Sequence, residues 1–265
     1  VPAQAEPARA PRRSTHSAGS APNPAWHRLE DFVVGASNRL AYEAAVRVAE
    51  GTLGVRSGPL FIHGACGLGK THLLQGIARR FLERHPGATV RYTTGEAFTN
   101  EFIAAVSQGR AMGARGARGD AFRRAYRDVD LLCVDDVHFL ANKTATQTEL
   151  LHTFDAIDSG MAASGRGTRI VIASDAHPRA VHRFSEALVS RFLSGLVVRL
   201  DPPDAELCER IVAALAARRG LPMDAHAARA IAEHAAVLAT SFRGAAQAAA
   251  PGYAPFTSVR ELEGL

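Results

Sequence analysis

The chain has 265 residues, 47% apolar and 22% charged, an ordinary globular composition that excludes a largely disordered protein. No apolar run approaches the ~18 residues of a membrane helix. The three cysteines, Cys66, Cys133 and Cys208, lie far apart without C-x-x-C spacing, which argues against a zinc or disulfide framework and for a reducing, cytoplasmic setting. Lys and Arg exceed Asp and Glu by 31 to 26, giving a net charge of +5, and only Lys70 and Lys143 of those cations are lysine.

In chain order, residues 1–27 are Pro, Ala, Ser and Arg with almost no large apolar side chains, and are expected to form a disordered arm. They hold no apolar core of a secretory signal. The chain begins with Val rather than Met, so upstream residues are expected to be missing. Periodicity then predicts a helix over Asn38–Ala49, a strand over Pro59–His63, a helix over Lys70–Arg84 and a strand over Thr89–Tyr92. Two helical pieces, Thr99–Val106 and Asp120–Tyr126, flank a glycine- and arginine-rich segment, Gly109–Gly119, expected to be flexible. Next come a buried strand over Asp130–Asp135, a helix over Gln147–Asp158, and strands over Arg169–Ser174 and Leu196–Leu200. Strands separated by helices predict parallel crossovers and a sheet covered on both faces. After Asp201-Pro-Pro203 the pattern is helical only, over Ala205–Arg219, Asp224–Ala239 and from Ser258. The expected architecture is a three-layer α/β domain over residues 28–201 with an all-helical lid over 202–265.

Gly64-Ala-Cys-Gly67-Leu-Gly69-Lys70-Thr71 satisfies G-x-x-x-x-G-K-[ST] between a predicted strand and helix, the context of a phosphate-binding loop. Glycines let backbone N–H groups turn inward around phosphate oxygens, and the helix N-terminus adds partial positive charge there. Lys70 brings a compact ammonium that a planar guanidinium reproduces poorly, which gives a reason for lysine amid so many arginines. Thr71 offers a hydroxyl ligand for Mg²⁺. About 65 residues on, Leu131-Leu-Cys-Val134 leads into Asp135-Asp136 at the carboxyl end of a predicted central strand, where open α/β sheets bind ligands. Asp135 is the expected Mg²⁺ partner and Asp136 the expected base orienting an attacking water.

Charge is also concentrated locally. Between Ser107 and Arg127 six arginines, at positions 110, 115, 118, 123, 124 and 127, face one acid, Asp120. Polyanions such as nucleic acid suit this segment, and a solvated arginine face is the plainer reading.

These motifs and their neighbours resemble the ATPase core of the DnaA family, bacterial replication initiators of the AAA+ superfamily. The likeness runs through Phe32-Val-Val-Gly-Ala-Ser-Asn38, Gly67-Leu-Gly-Lys-Thr-His72-Leu-Leu74, Phe98-Thr-Asn-Glu-Phe-Ile103, Val134-Asp-Asp-Val-His-Phe-Leu140, Ser190-Arg-Phe192 and Arg260-Glu-Leu-Glu-Gly264. It covers about Leu29 to the C-terminus in order. The resemblance implies a P-loop AAA+ fold that binds ATP or ADP with Mg²⁺ and hydrolyses ATP slowly. Val33, Val34 and Asn38 would line the adenine end, with His72 among the nucleotide-binding residues. Asp175, after Ser174, matches a polar sensor of the γ-phosphate, and Arg191 an arginine finger reaching the neighbouring subunit's ATP. Arg260 matches a lid sensor, in a helix that Ser258 and Glu261 would cap, with Arg243 as a second candidate. Arg110, Arg115, Arg118 and Lys143 fall where the family holds single-stranded DNA.

The resemblance further implies head-to-tail self-association, contact with a replicative helicase or other replication proteins, and a place beside the nucleoid. Ala145 stands where the family usually has arginine, and the segment before Ser190 lacks its usual Asp-Arg pair. An apparent lid insert spans about Leu238–Thr257. The family's N-terminal partner-binding and C-terminal duplex-reading domains fall outside the sequence, so this chain alone is not expected to select an origin sequence. A stand-alone regulator, initiator-inactivating or helicase-loader-like, and a non-hydrolysing remnant of a truncated gene are the competing expectations.

Overall fold

A computed structural model describes residues 23–53, 58–111, 117–159 and 167–233. Five strands, β1 (Leu60–His63), β2 (Val90–Thr94), β3 (Leu131–Asp135), β4 (Arg169–Ser174) and β5 (Leu196–Arg199), form one sheet in the order β2-β3-β4-β1-β5. Every pairing is parallel. Strand residues alternate between two cores, which is why the strands read as continuous apolar runs. Leu60, Ile62, Leu131 and Cys133 face α1 (Arg39–Ala49) and α2 (Lys70–Arg84). Phe61, Leu132, Val134 and Ile172 face the opposite layer, α3 (Gly95–Ala111), α4 (Ala117–Arg127), α5 (Thr144–Asp158) and α6 (Glu186–Leu193), which contributes Phe98, Tyr126, Phe154 and Phe192. The three-layer expectation holds.

Element ends differ from the sequence expectation for local reasons. The α3 helix starts four residues early because Thr94 Oγ1 accepts the Ala97 N–H (3.1 Å), a capping bond that hydrophobic period does not reveal. It then continues to Ala111, and α4 already begins at Ala117. The Gly109–Gly119 segment, expected to be flexible throughout, is therefore helical on both flanks; residues 112–116 lie outside the described residues.

After β5, Asp204 accepts the Leu207 N–H (2.8 Å) and opens α7 (Ala205–Arg218). Asp224 caps a further helical stretch in the same way through the Ala227 N–H (2.7 Å). Leu207, Ile211 and Val212 pack on Ala228 in a small separate core that Val33 joins. The expected lid residues from position 234, Arg243 and Arg260 among them, lie outside the described residues, as do residues 1–22 of the arm expected over 1–27; at its end Trp26 instead packs on Tyr92 and His27 stacks on His72.

One close approach holds β1 to β5. A Cβ at Gly195 would lie 2.1 Å from the Pro59 carbonyl oxygen, which also accepts the Leu196 N–H (3.0 Å). The Gly195→Ala variant is expected to lose roughly 3 kcal/mol, the upper part of the usual single-substitution range, in urea unfolding.

Candidate functional site

The site forms where β1, β3 and β4 end. Beyond His63 the chain turns through Gly67 (φ +79°) and Gly69 (φ +95°), left-handed conformations that a side chain would strain. A Cβ at Gly69 would also lie 2.8 Å from the Phe32 ring. Lys70 opens α2 and is 5% exposed. Its Nζ donates to the carbonyls of Gly64 and Ala65, both at 2.8 Å, and pairs with Asp175 Oδ1 at 2.7 Å. Each hydrogen of the ammonium has an oxygen. Thr71, His72, Gly67 and Gly69 line the groove above it, with Asp136, His138 and Asp175 across from them. Gly64 lies beneath, where a Cβ would meet the Leu200 carbonyl oxygen at 2.5 Å.

Asp135 is almost fully buried at the end of β3. Its Oδ1 accepts the Asp136 N–H (3.0 Å) and its Oδ2 the Tyr92 hydroxyl (2.8 Å). Asp136 turns out into the groove at φ +49°. Burial, then the neighbouring Asp135 charge, pushes the Asp136 carboxyl above the ordinary carboxylate range. Asp175 sits between two cations or potential cations, since its Oδ2 lies 3.5 Å from His138 Nε2. The ligand atoms of Asp136, His138 and Asp175 lie within 4.8 Å of one another. Sequence reasoning placed the two acids here and missed His138, which stands within the quoted Val134–Leu140 motif.

A second, more apolar pocket continues from the groove over Gly69 and His72. Phe32, Val33 and Asn38 line one side, and Leu207, Ile211 and Arg218 of α7 the other. Asn38 is buried and shapes the loop, accepting the Gly35 N–H (2.8 Å) and donating to the Val33 carbonyl (3.0 Å). Val34, expected at the adenine end, is not among the lining residues; Val33 is. His72 Nε2 donates to the Arg28 carbonyl (2.7 Å), and its ring stacks on His27 at 4.5 Å. Burial pulls the His72 imidazole down to about 4, so it is neutral at physiological pH. Arg218 donates to the Asp31 carbonyl (2.8 Å) and ties α7 to the chain before α1. No motif or periodicity points to Arg218 or His27.

Arg191 lies away from this groove on α6, side chain 35% exposed, and pairs with Asp155 and with Asp158 (2.6 Å) of α5. Of the expected DNA-binding residues, Lys143 is half-buried just ahead of α5. Arg110 lies in α3 and Arg118 in α4, while Arg115 falls outside the described residues. Part of the local charge excess is answered inside the fold, because Arg127 (3.0 Å) and Arg123 (3.5 Å) both pair with the buried Glu149.

Comparison with known proteins bears on this geometry. Residues 25–199 match the family model described as the bacterial DnaA ATPase domain. The chromosomal replication initiator protein DnaA of Levilactobacillus brevis is 44% identical over 180 residues, 68% of this chain and 36% of that protein. Among solved structures, domain III of the Thermotoga maritima replication initiation protein DnaA aligns with a TM-score of 0.68 at 34% identity, covering 89% of this chain and 94% of that one. A replication initiator DnaA bound to AMPPCP and single-stranded DNA aligns with a TM-score of 0.70 at 31% identity, covering 92% and 64%. The chain thus spans little more than a third of the length of the curated relative it matches.

Proposed function

The chain belongs to the bacterial DnaA ATPase-domain family, and from that membership we propose that it is a nucleotide-switched assembly module of a replication initiator, binding ATP or ADP with Mg²⁺ and hydrolysing ATP slowly. The observation that carries this reading is the buried Lys70 ammonium at the floor of a glycine loop, facing Asp136 and Asp175 across one groove. The residues fit the groups they would hold. Left-handed glycines in a loop that opens a helix suit phosphate oxygens, and a threonine hydroxyl with a carboxylate suits a hard cation. The relative bound to AMPPCP and single-stranded DNA supports the same assignment.

In this reading the loop N–H groups and Lys70 hold the phosphates, while Thr71 and Asp135 hold Mg²⁺. Bound Mg²⁺ would neutralise charge developing on the phosphate oxygens. Asp136, its proton affinity raised by burial, orients a water and accepts its proton. Lys70 exchanges its bond to Asp175 for one to the γ-phosphate, which leaves Asp175 free to register that group through a bridging water. Phe32, Val33 and Asn38 bound the adenine pocket, and closure of α7 over it links the nucleotide to the lid, where Arg260 is the proposed sensor and Arg243 the alternative. Arg191 completes a neighbouring copy's site when subunits stack head to tail. Size-exclusion runs with ATP and with ADP test this: larger assemblies with ATP only support it. ATP-independent monomers that stimulate another initiator's hydrolysis point to a regulator.

Lys143 and the arginines of α3 and α4 form the proposed contact with single-stranded DNA, in a nucleoid-associated cytoplasmic protein that also meets a helicase or other replication proteins. With few aromatics beside them, binding should be mainly electrostatic. Neutralising Arg110, Arg115 and Arg118 together should flatten the log–log salt slope of single-strand binding by about 2, at ~0.7 per phosphate contact. Fluorescence anisotropy over a salt series measures it, and an unchanged slope removes these residues from the interface.

A further inference from the structure

The Tyr92 hydroxyl belongs to no motif that the proposed function uses, yet it touches Asp135, the buried carboxylate at the end of β3. Tyr92 lies on β2 directly opposite Cys133 of β3, so the strand pleat puts it on the same sheet face as Asp135, two residues further on. Its hydroxyl donates to Asp135 Oδ2 at 2.8 Å while the Asp136 N–H holds Oδ1 at 3.0 Å. With one donor on each oxygen, the buried carboxylate cannot rotate without breaking a bond. The ring is buttressed in turn by Trp26, the one tryptophan of the chain, at 5.7 Å. The Trp26 carbonyl is anchored by Arg79 of α2 (3.1 Å).

We propose that Tyr92 is a positioning residue that fixes the Asp135 carboxylate for Mg²⁺, with Trp26 holding the phenol in place. The inference rests on the reading that Asp135 serves nucleotide-bound Mg²⁺. A carboxylate fixed from behind presents its remaining lone pairs in one direction, and loss of such an outer partner typically costs roughly 10–100-fold in metal affinity. A hydroxyl that merely satisfied a buried acid would influence stability without setting the metal dependence.

The test is the affinity of the whole chain for AMPPCP, measured by calorimetry in excess EDTA and in excess Mg²⁺. For Tyr92→Phe, which keeps the ring packing, the Mg²⁺-induced gain in affinity should fall by roughly tenfold or more, with the EDTA affinity changed less than about twofold. Trp26→Ala, at a half-buried position near the chain start, should reduce the same gain by a smaller factor and serves if Tyr92→Phe fails to fold. An undiminished gain in the variant that folds overturns the proposal, as does an equal loss with and without Mg²⁺. If the unmodified chain itself binds AMPPCP no better with Mg²⁺, the reading of Asp135 falls first and this inference with it.

Discussion

Replacing Lys70 with alanine should abolish measurable binding of ATP and ADP in calorimetry, with affinity falling about 100-fold or more. Its ammonium makes three short contacts, to the carbonyls of Gly64 and Ala65 and to Asp175. Bonds to charged groups contribute about 1.5–3 kcal/mol each, and a phosphate chain would exchange weaker partners for charged ones. Alanine also leaves Asp175 without its closest cation beside the place where phosphate charge would gather. Lys70→Arg should fail nearly as badly, because a flat guanidinium cannot follow the same three directions in a pocket that leaves the lysine 5% exposed. Binding within tenfold of the unmodified chain in either variant would remove Lys70 from the nucleotide site.

Arg191→Ala should leave nucleotide binding by the isolated chain intact and lower assembly-stimulated hydrolysis by roughly 10³-fold, the lower end of what such an arginine contributes. Arg191 is not among the groove's lining residues and pairs with Asp155 and Asp158, which do not line it either, so its removal leaves its own subunit's site in place. Stability should hardly change, because half-exposed pairs such as those to Asp155 and Asp158 contribute about 0–1 kcal/mol each. Concentration-dependent ATP turnover, compared between variant and parent, reads the effect. Equal stimulation by assembly would show that Arg191 does not act across the interface.

Much of this was legible in the residues. The glycine spacing around Lys70 and the apolar run into Asp135-Asp136 located both halves of the groove, because both depend on local backbone chemistry. Strand alternation with helices gave the parallel sheet, since burial on two faces leaves a continuous apolar signature. What escaped was set by long-range packing. Tyr92 and Asp135 are 43 positions apart and meet only through strand pairing. Arg218 reaches Asp31 across 187 positions. The early start of α3 followed from one threonine side chain, which competes with hydrophobic period and wins locally. Of Val33 and Val34, both expected at the adenine end, Val33 lines the pocket, in a loop that Asn38 folds back on itself.

The strand order has a consequence for biosynthesis. β1 occupies an inner position, yet both its neighbours, β4 and β5, lie more than 100 residues later in the chain. At translation rates of about 5–20 residues per second, the Lys70 loop emerges from the ribosome many seconds before the strands that flank β1 exist. The nascent loop-bearing strand must therefore wait with both hydrogen-bonding edges open, a period in which chaperone protection matters most.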